Sequence, residues 1–151
     1  YKLEPNSKIL DVGCGKGFLM FDMLKIRSDL DIYGIDISEY AIQNSKEEIK
    51  GKINLGNANN LPWPDNYFDL VISITTLHNL HNFDLFKSLK EIERVAKSNK
   101  YICVESYRNE EEKANLLYWQ VTCEAFNTPL EWKWWFELAE YKGDYSFIYF
   151  Q

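Results

Sequence analysis

The stretch Asp11-Val12-Gly13-Cys14-Gly15-Lys16-Gly17 decides the fold of this chain. An acidic residue ends an apolar, strand-like run, and three glycines follow at alternate positions. The amphipathic run over residues 18–26 then predicts a helix. A strand, a glycine turn and a helix start place backbone N–H groups beside an anionic ligand group. Glycine permits the positive φ angles of such a turn and lets a ligand approach the backbone closely. The stretch therefore predicts a ligand-binding turn.

Apolar runs and helical patterns alternate along the whole chain of 151 residues. The apolar runs predict strands at 8–12, 31–35, 52–55, 69–74, 101–105 and 145–150. Capping residues and helical spacing predict helices at 17–27, 38–50, 83–97, 109–126 and 128–143. Strands separated by helices form βαβ units. The predicted fold is therefore α/β: a doubly wound, mostly parallel, Rossmann-like sheet with helices on both faces.

The composition excludes several classes of function. The formal net charge is −6, whereas a broad nucleic-acid-binding surface requires a basic balance. No apolar run reaches transmembrane length, and no signal peptide is recognisable. The three cysteines have no metal-ligand spacing, so we expect free thiols and no metal site. We expect a cytoplasmic protein that acts on neither nucleic acid nor membranes.

Ligands of doubly wound sheets bind at the carboxyl ends of the strands, and informative residues follow strands two, three and four. Asp36 lies about twenty residues after the glycines, where a carboxylate accepts hydrogen bonds from both hydroxyl groups of a ribose. Asn57-Ala58 offers an amide oxygen and a backbone N–H to the edge of an adenine. The stretch 73–80 follows strand four and opens toward a reaction centre. Together these residues predict a ligand that contains adenosine.

In order and spacing, these motifs resemble those of the class I S-adenosylmethionine-dependent methyltransferases, in particular the group that acts on small molecules. The resemblance covers nearly the whole chain. Besides the glycine stretch, it rests on Gly34-Ile35-Asp36-Ile37-Ser38, Asn57-Ala58, Leu61-Pro62-Trp63, Phe68-Asp69-Leu70-Val71, Leu77-His78-Asn79-Leu80 and Glu91-Ile92-Glu93-Arg94-Val95.

The resemblance implies that the chain binds S-adenosyl-L-methionine and transfers its methyl group to a small-molecule acceptor. The implied cofactor-binding residues are Asp11, Gly13, Cys14, Gly15, Gly17, Asp36, Ile37, Asn57, Ala58 and Ser73. The glycine turn would pack under the methionine moiety, and Asp36 would hold the ribose. Ile37 would pack on the adenine, and Asn57-Ala58 would pair with its edge. Asp11 and the backbone of Ser73 would face the ammonium group.

The chain also departs from the family pattern. Asn57 stands where many relatives have an aspartate, and Lys97-Ser98-Asn99-Lys100 replaces a proline-glycine turn. A single strand follows the last predicted helix, so we expect a shortened closing β-hairpin. We expect one methyltransferase domain over residues 1–151, without the N-terminal lid segment that family members carry before strand one.

Residues after strands four and five are candidates for the acceptor side. His78 is the candidate catalytic residue, because a histidine accepts a proton at neutral pH. His81 is expected at the surface instead. Leu77, His78, Glu105 and Tyr107 are the candidates for the substrate pocket. The expected partner is a small-molecule acceptor, and the sequence is compatible with a homodimer.

Two features of the later sequence are expected to be structural. Thr122-Cys123 resembles the nucleophile dipeptide of some RNA cytosine methyltransferases, but it falls inside a predicted helix, so we expect it in the core. The spacing of Trp132, Trp135 and Phe136 predicts one buried helical stripe.

Two alternative functions stay open. An NAD(P)-dependent oxidoreductase also uses a glycine turn after strand one, but its fingerprint places the third glycine one position later, where Phe18 stands. A non-catalytic partner module with the methyltransferase fold is the second alternative.

Overall fold

The computed structural model describes residues 1–151 and contains one six-stranded sheet. The strands are β1 Lys8–Val12, β2 Asp31–Asp36, β3 Ile53–Leu55, β4 Phe68–Ile74, β5 Ala96–Glu105 and β6 Asp144–Ile148. Their order is β3-β2-β1-β4-β5-β6, and every pairing is parallel. The prediction of a doubly wound, mostly parallel sheet is confirmed. One strand, β6, follows the last helix, so these residues form no closing hairpin.

Six α-helices and one 3₁₀ helix connect the strands. The α-helices are α1 Phe18–Ile26, α2 Glu39–Gln43, α3 Glu47–Lys50, α4 Asn82–Val95, α5 Glu110–Trp119 and α6 Pro129–Leu138. The 3₁₀ helix Leu77–Asn79 lies between β4 and α4. None of these helices has both the length and the apolar composition that a bilayer-crossing span requires.

Alternating side chains of β1 build one hydrophobic core on each face of the sheet. Leu10 belongs to the larger core, which includes Trp132 of α6. Ile9 belongs to the smaller core on the other face, which includes Met20 of α1. Because successive strand residues point to opposite faces, Asp11 lies on the same face as Ile9, toward α1. The sheet thereby presents an acidic side chain beside the start of α1.

The late aromatic stripe is part of the larger core, as its spacing predicts. Trp132 and Phe136 are buried, and Trp135 packs against the same cluster from a partly exposed position. The indole N–H of Trp132 donates to the backbone oxygen of Glu105 at 3.0 Å. This bond fixes α6 against the end of β5.

Two helix starts carry the capping residues that the sequence indicates. Thr128 and Glu131 form a complete capping box at the start of α6. The side chain of Asn109 accepts from the N–H of Glu112 at 2.9 Å, which caps α5. α5 has no complete capping box, because the Glu112 carboxylate accepts from the N–H of Arg108 and not from the N–H of Asn109.

The prediction of a single helix over 38–50 is wrong, because this stretch forms two short helices, α2 and α3. Asn44 Nδ2 donates to the backbone oxygen of Tyr40 at 2.8 Å. Ser45 Oγ donates to the backbone oxygen of Ile42 at 2.7 Å. These side chains occupy carbonyl groups that a continuous helix would use, so the helix stops there.

The helix expected over 109–126 is also too long, because α5 ends at Trp119. Beyond it, the N–H groups of Glu124 and Ala125 both donate to the backbone oxygen of His78, each at 2.9 Å. A tertiary contact with the 3₁₀ helix thus replaces the local helical bonds. Thr122-Cys123 therefore lies in a loop and not in a helix.

The sequence also predicts Gly143 as the C-cap of the helix expected over 128–143, and this prediction is wrong. α6 ends at Leu138, and Glu140 takes the left-handed conformation with φ 57°. Gly143 is instead needed for packing, since a Cβ there would lie 2.2 Å from the Tyr141 hydroxyl and 2.3 Å from the Lys100 side chain.

Gly17 offers a test of the turn that begins α1. Its φ is 70°, and a Cβ on it would lie 2.2 Å from Ile49 Cδ1. We expect Gly17→Ala to lower the free energy of unfolding by about 2 kcal/mol in a urea titration, through strain and overlap. Gly51→Ala is the matched control, because Gly51 has φ −72° and open space around its Cα. That variant should gain about 0.5 kcal/mol. Equal losses in the two variants would contradict this account.

Candidate functional site

The strand order reverses between β1 and β4, and the glycine turn lies at the carboxyl ends of these strands. Doubly wound sheets bind ligands at this position. Thr76 follows β4, and its Oγ1 donates to the backbone oxygen of Gly13 at 3.2 Å. A Cβ on Gly13 would lie 2.1 Å from the Thr76 side chain. Only glycine therefore lets the turn pack this closely against the end of β4.

The carboxylate of Asp36 connects the glycine turn to the end of β2. Its Oδ2 accepts from the N–H of Gly15 at 2.7 Å, and its Oδ1 accepts from the N–H of Ser38 at 2.8 Å. A carboxylate has about four acceptor positions, so each oxygen keeps capacity for a ligand hydroxyl. No atom lies within 4 Å of the Cβ position of Gly15. A ligand has room on that side of the turn.

A small apolar cavity of about 70 Å³ lies between the glycine turn and the end of β3. Its lining consists of Gly13, Ile35, Asp36, Ile37, Gly56, Asn57, Ala58, Thr76 and Leu80. Oδ1 of Asn57 accepts from the N–H of Asn59 at 3.0 Å, so the Asn57 amide group is held in one orientation. The apolar walls and this amide suit a flat heterocycle with a polar edge.

A second cavity of about 310 Å³ lies on the other side of Gly13. Its lining consists of Asp11, Gly13, Cys14, Gly15, Lys16, Phe18, Leu19, Ile74 and Thr75. Because both cavities include Gly13, they follow one another along the glycine turn. Together they form a cleft along the turn, with one carboxylate in each part: Asp36 in the first cavity and Asp11, near Lys16, in the second.

Asp11 is the one carboxylate in the lining of the second cavity. Burial, with a contribution from the nearby charge of Asp36, raises the pKa of Asp11 to about 7. A cation in this cavity would favour the ionised form of Asp11. The same burial, with the charges of Asp11 and Asp36, raises the pKa of the Cys14 thiol. Cys14 is therefore a neutral part of the wall and no nucleophile.

Most of the residues implied as cofactor-binding line this cleft. Those in the two linings are Asp11, Gly13, Cys14, Gly15, Asp36, Ile37, Asn57 and Ala58. Gly17 and Ser73 lie behind it. Gly17 packs toward Ile49, and Ser73 is buried with its Oγ donating to the backbone oxygen of Val12 at 3.0 Å. Both support the turn from within the protein.

Several lining residues were not found from the sequence. The end of β4 and the two residues after it, Ile74, Thr75 and Thr76, supply the wall there, whereas the resemblance implies Ser73 alone from the stretch 73–80 as cofactor-binding. Thr75 has φ 53°, a conformation that its residue type does not predict. Phe18 and Leu19 are exposed at the start of α1 and line the second cavity. Only their position directly after the glycines signals a role in the cleft.

The candidates for the acceptor side lie deeper in the protein. His78 and Glu105 are 1% and 2% exposed, and Nε2 of His78 contacts Oε2 of Glu105. Leu77 is fully buried in the larger core. Tyr107 is half-buried beyond the end of β5, whereas His81 is exposed, 3.5 Å from Glu124. Of the four candidates, only the side chains of His78 and Glu105 are in polar contact with each other.

Cys123 is buried beside this pair, in the loop after α5. Its pKa is raised to about 12 by burial and by the nearby charge of Glu105. Since the thiolate is the reactive form, Cys123 is no nucleophile at neutral pH. The expectation that Thr122-Cys123 lies in the core is confirmed for Cys123 but is wrong for Thr122, which is exposed because the expected helix does not form.

Comparison with known proteins shows the family to which this chain belongs. A family model described as "methyltransferase domain" matches residues 3–143. A demethylmenaquinone methyltransferase from Symbiobacterium thermophilum is 34% identical over 112 residues, which cover 68% of this chain and 44% of that protein. The mitochondrial arginine-hydroxylase NDUFAF5 of Rattus norvegicus is 38% identical over 89 residues, 58% of this chain and 25% of that protein. The chain thus spans less than half the length of these relatives.

A solved structure shares the fold. The complex between the Haloferax volcanii Trm112 methyltransferase activator and a methyltransferase includes a chain that matches with a TM-score of 0.74 and 20% identity. The match covers 91% of this chain and 62% of that one. At this identity the likeness concerns the fold alone.

The buried Asp11 makes stability depend on pH. Its folded-state pKa of about 7 lies above the unfolded value near 3.8, so the stability that its neutral form contributes is lost as the pH rises through 7. Asp11→Asn removes this loss. We expect its free energy of unfolding, relative to wild type, to increase by about 2 kcal/mol between pH 5 and pH 8 in urea titrations. Asp22→Asn, on the exposed side of α1, should show no such trend. Parallel pH profiles of wild type and Asp11→Asn would refute this prediction.

Proposed function

The chain belongs to the class I S-adenosylmethionine-dependent methyltransferases, and we propose that it binds S-adenosylmethionine along the glycine turn and transfers its methyl group to a small-molecule acceptor. The observation that carries this proposal is the position of Asp36. Its carboxylate lies between the open side of Gly15 and the apolar cavity beside Ile37. A ribose between an adenine and an amino-acid moiety would find its hydrogen-bond acceptor at that position.

The residues along the cleft fit the chemical groups of this cofactor. Ile37 and Ala58 offer apolar contact to an adenine, and Asn57 offers an amide to its edge. The turn from Gly13 to Gly17 would cradle the methionine moiety, with Cys14 in the wall, while Ser73 holds β4 to β1. Asp11 would pair with the ammonium group, because it is the carboxylate in the lining of the second cavity. When bound, the cofactor supplies an electrophilic methyl group on a positively charged sulfur.

A small acceptor is supported by one relative and by the charge of the chain. The relative from Symbiobacterium thermophilum is named for methylation of demethylmenaquinone, a small molecule. The net charge of −6 disfavours a nucleic-acid substrate. The chain would act mainly by holding the acceptor in line with the methyl group. His78, Glu105, Leu77 and Tyr107 are the residues assigned to the acceptor side, at the ends of β4 and β5.

Calorimetric titration with S-adenosylhomocysteine tests the proposal. We expect Asp36→Ala to weaken binding by roughly tenfold to a hundredfold, because hydrogen bonds to a charged group contribute about 1.5–3 kcal/mol. Asp36→Asn keeps one side-chain acceptor and should lose less. Asp31→Ala, at the amino end of the same strand, is the control and should bind as wild type does. Tight NAD binding with no response to S-adenosylhomocysteine would overturn the proposal in favour of an oxidoreductase.

Binding should also be linked to the ionisation of Asp11. Its pKa of about 7 in the free protein would fall when an ammonium group lies beside it, so binding releases a proton. We expect the affinity for S-adenosylhomocysteine to rise by roughly tenfold from pH 5.5 to pH 7.5. Calorimetry in buffers of different ionisation enthalpy measures the released proton. In Asp11→Asn both the pH dependence and the proton release should disappear, and their persistence would place the ammonium group elsewhere.

A further inference from the structure

Buried polar side-chain atoms without a hydrogen-bond partner are few in this protein, and three of them lie near the end of β5. One is Oε2 of Glu105, which contacts Nε2 of His78. The other two are Nδ1 of His78 and Nδ2 of Asn127. His78 contacts Glu105, and the next residue, Ser106, donates from its Oγ to the backbone oxygen of Asn127 at 2.9 Å. An unpaired buried polar group costs about 1–3 kcal/mol, so folded proteins leave few of them. Two such atoms around one strand end indicate a place for a polar ligand.

The contact with Glu105 determines which nitrogen of His78 is available. A carboxylate oxygen only accepts, so the imidazole hydrogen lies on Nε2, which faces Glu105. Nδ1 then carries a lone pair and is a proton acceptor. The side-chain amide of Gln120 donates to Oε1 of Glu105 at 2.9 Å and holds the carboxylate in place. Glu105 is thus a positioning residue for His78.

This pair lies next to the cofactor cleft in the chain and in the sheet. His78 belongs to the 3₁₀ helix between Thr76 and Leu80, and both of these residues line the cleft. β5, which ends at Glu105, pairs with β4, whose end supplies Ile74 to the cleft. The position is therefore the one from which a side chain can serve an acceptor that enters beside the cofactor.

Residues 120–125, here the covering segment, close this position. The N–H groups of Glu124 and Ala125 donate to the backbone oxygen of His78. Oγ1 of Thr122 lies 2.9 Å from Oδ1 of Asn79, its hydrogen-bond acceptor. Together with the bond from Gln120 to Glu105, these contacts hold the covering segment over the pair. An acceptor reaches His78 only when the covering segment moves.

We propose that His78, Glu105 and Asn127 form the acceptor centre of the enzyme, that the covering segment opens to admit the acceptor, and that the acceptor carries an acidic hydroxyl group, as in a phenol or an enol. This proposal rests on the proposed methyl transfer. The amide of Asn127 donates to the acceptor oxygen, and Nδ1 of His78 accepts its hydrogen. The acceptor oxygen forms its bond to the methyl carbon as the carbon–sulfur bond breaks. The sulfur leaves as a neutral thioether, and the positive charge moves to the imidazolium beside Glu105.

The presence of a base distinguishes a hydroxyl acceptor from an amine. A neutral amine attacks with its free electron pair and loses its proton afterwards, so it needs no base during attack. A hydroxyl oxygen is a weak nucleophile until its hydrogen is removed. A histidine held by a carboxylate, with its other nitrogen free, is the arrangement that removes such a hydrogen.

Nitrogen-15 NMR of the imidazole groups tests this proposal without knowledge of the natural acceptor. The chain has only two histidines, and the exposed His81 serves as the internal reference. In the free protein we expect His78 to carry its hydrogen on Nε2, with Nδ1 unprotonated. Phenol added to the protein saturated with S-adenosylhomocysteine should shift the Nδ1 signal of His78 and leave His81 unmoved. Toluene, which has the ring without the hydroxyl, should give no shift.

Variants separate the acceptor centre from a structural pair. Asn127→Ala should weaken phenol binding by at least fivefold, and the isosteric Asn127→Asp serves if the alanine variant does not fold. Ser88→Ala is the matched control, because Ser88 Oγ is also buried and unpaired but belongs to α4. It should bind phenol as wild type does. Glu105→Gln should populate both tautomers of His78, because an amide can donate as well as accept. Glu105→Asp keeps a carboxylate and should restore the tautomer with the hydrogen on Nε2.

Different results would refute the acceptor centre and the cofactor assignment. The acceptor centre is refuted if S-adenosylhomocysteine binds but phenol leaves His78 unmoved, if toluene acts as phenol does, or if Nδ1 carries the hydrogen in the free protein. An equal effect of Ser88→Ala and Asn127→Ala on phenol binding would also refute it. Failure of S-adenosylhomocysteine to bind refutes the cofactor assignment instead.

Discussion

The structure depends on one pair of hydrogen bonds at the carboxyl end of β2, where the carboxylate of Asp36 accepts from the N–H groups of Gly15 and Ser38. These bonds tie the turn after β1 to the loop after β2 and so keep the cleft in shape. Backbone donors to a charged acceptor form stronger hydrogen bonds than neutral pairs do. The glycine turn, with its positive φ angles, is therefore held in place and still leaves one side open. The same carboxylate both builds the cleft and remains exposed to a ligand.

A second carboxylate in this cleft lowers the stability of the fold at neutral pH. Asp11 lies on the α1 face of β1, where it is buried and close enough to Asp36 for their charges to repel. Burial and like charge both disfavour ionisation, which is the combination found at functional sites. A cationic ligand beside Asp11 would offset the cost of burial and the repulsion from Asp36. Binding strength and unliganded stability are thus opposed at Asp11, and the protein keeps the carboxylate at a cost to stability.

The sequence predicts the fold better than it predicts the site. β1 agrees residue for residue, because alternate burial on two faces leaves a clear apolar pattern at Ile9 and Leu10. The cleft residues of the glycine turn follow from the same local reasoning. In contrast, the early end of α5 depends on bonds from Glu124 and Ala125 to His78, which no local pattern encodes. The partnership of His78 with Glu105 is likewise tertiary, so each was found singly and their contact was not.

The energetics of the covering segment explain how a buried acceptor centre can still operate. Four hydrogen bonds hold it to His78, Asn79 and Glu105, and each contributes about 0.5–1.5 kcal/mol net. Opening returns two unpaired atoms, on His78 and Asn127, to water and recovers about 1–3 kcal/mol for each. The burial of Cys123 and Ala125 adds an apolar contribution that favours closure. Because both side chains are small, this contribution favours the closed state only modestly. An acceptor that pairs with the two atoms favours whichever state of the covering segment allows those hydrogen bonds.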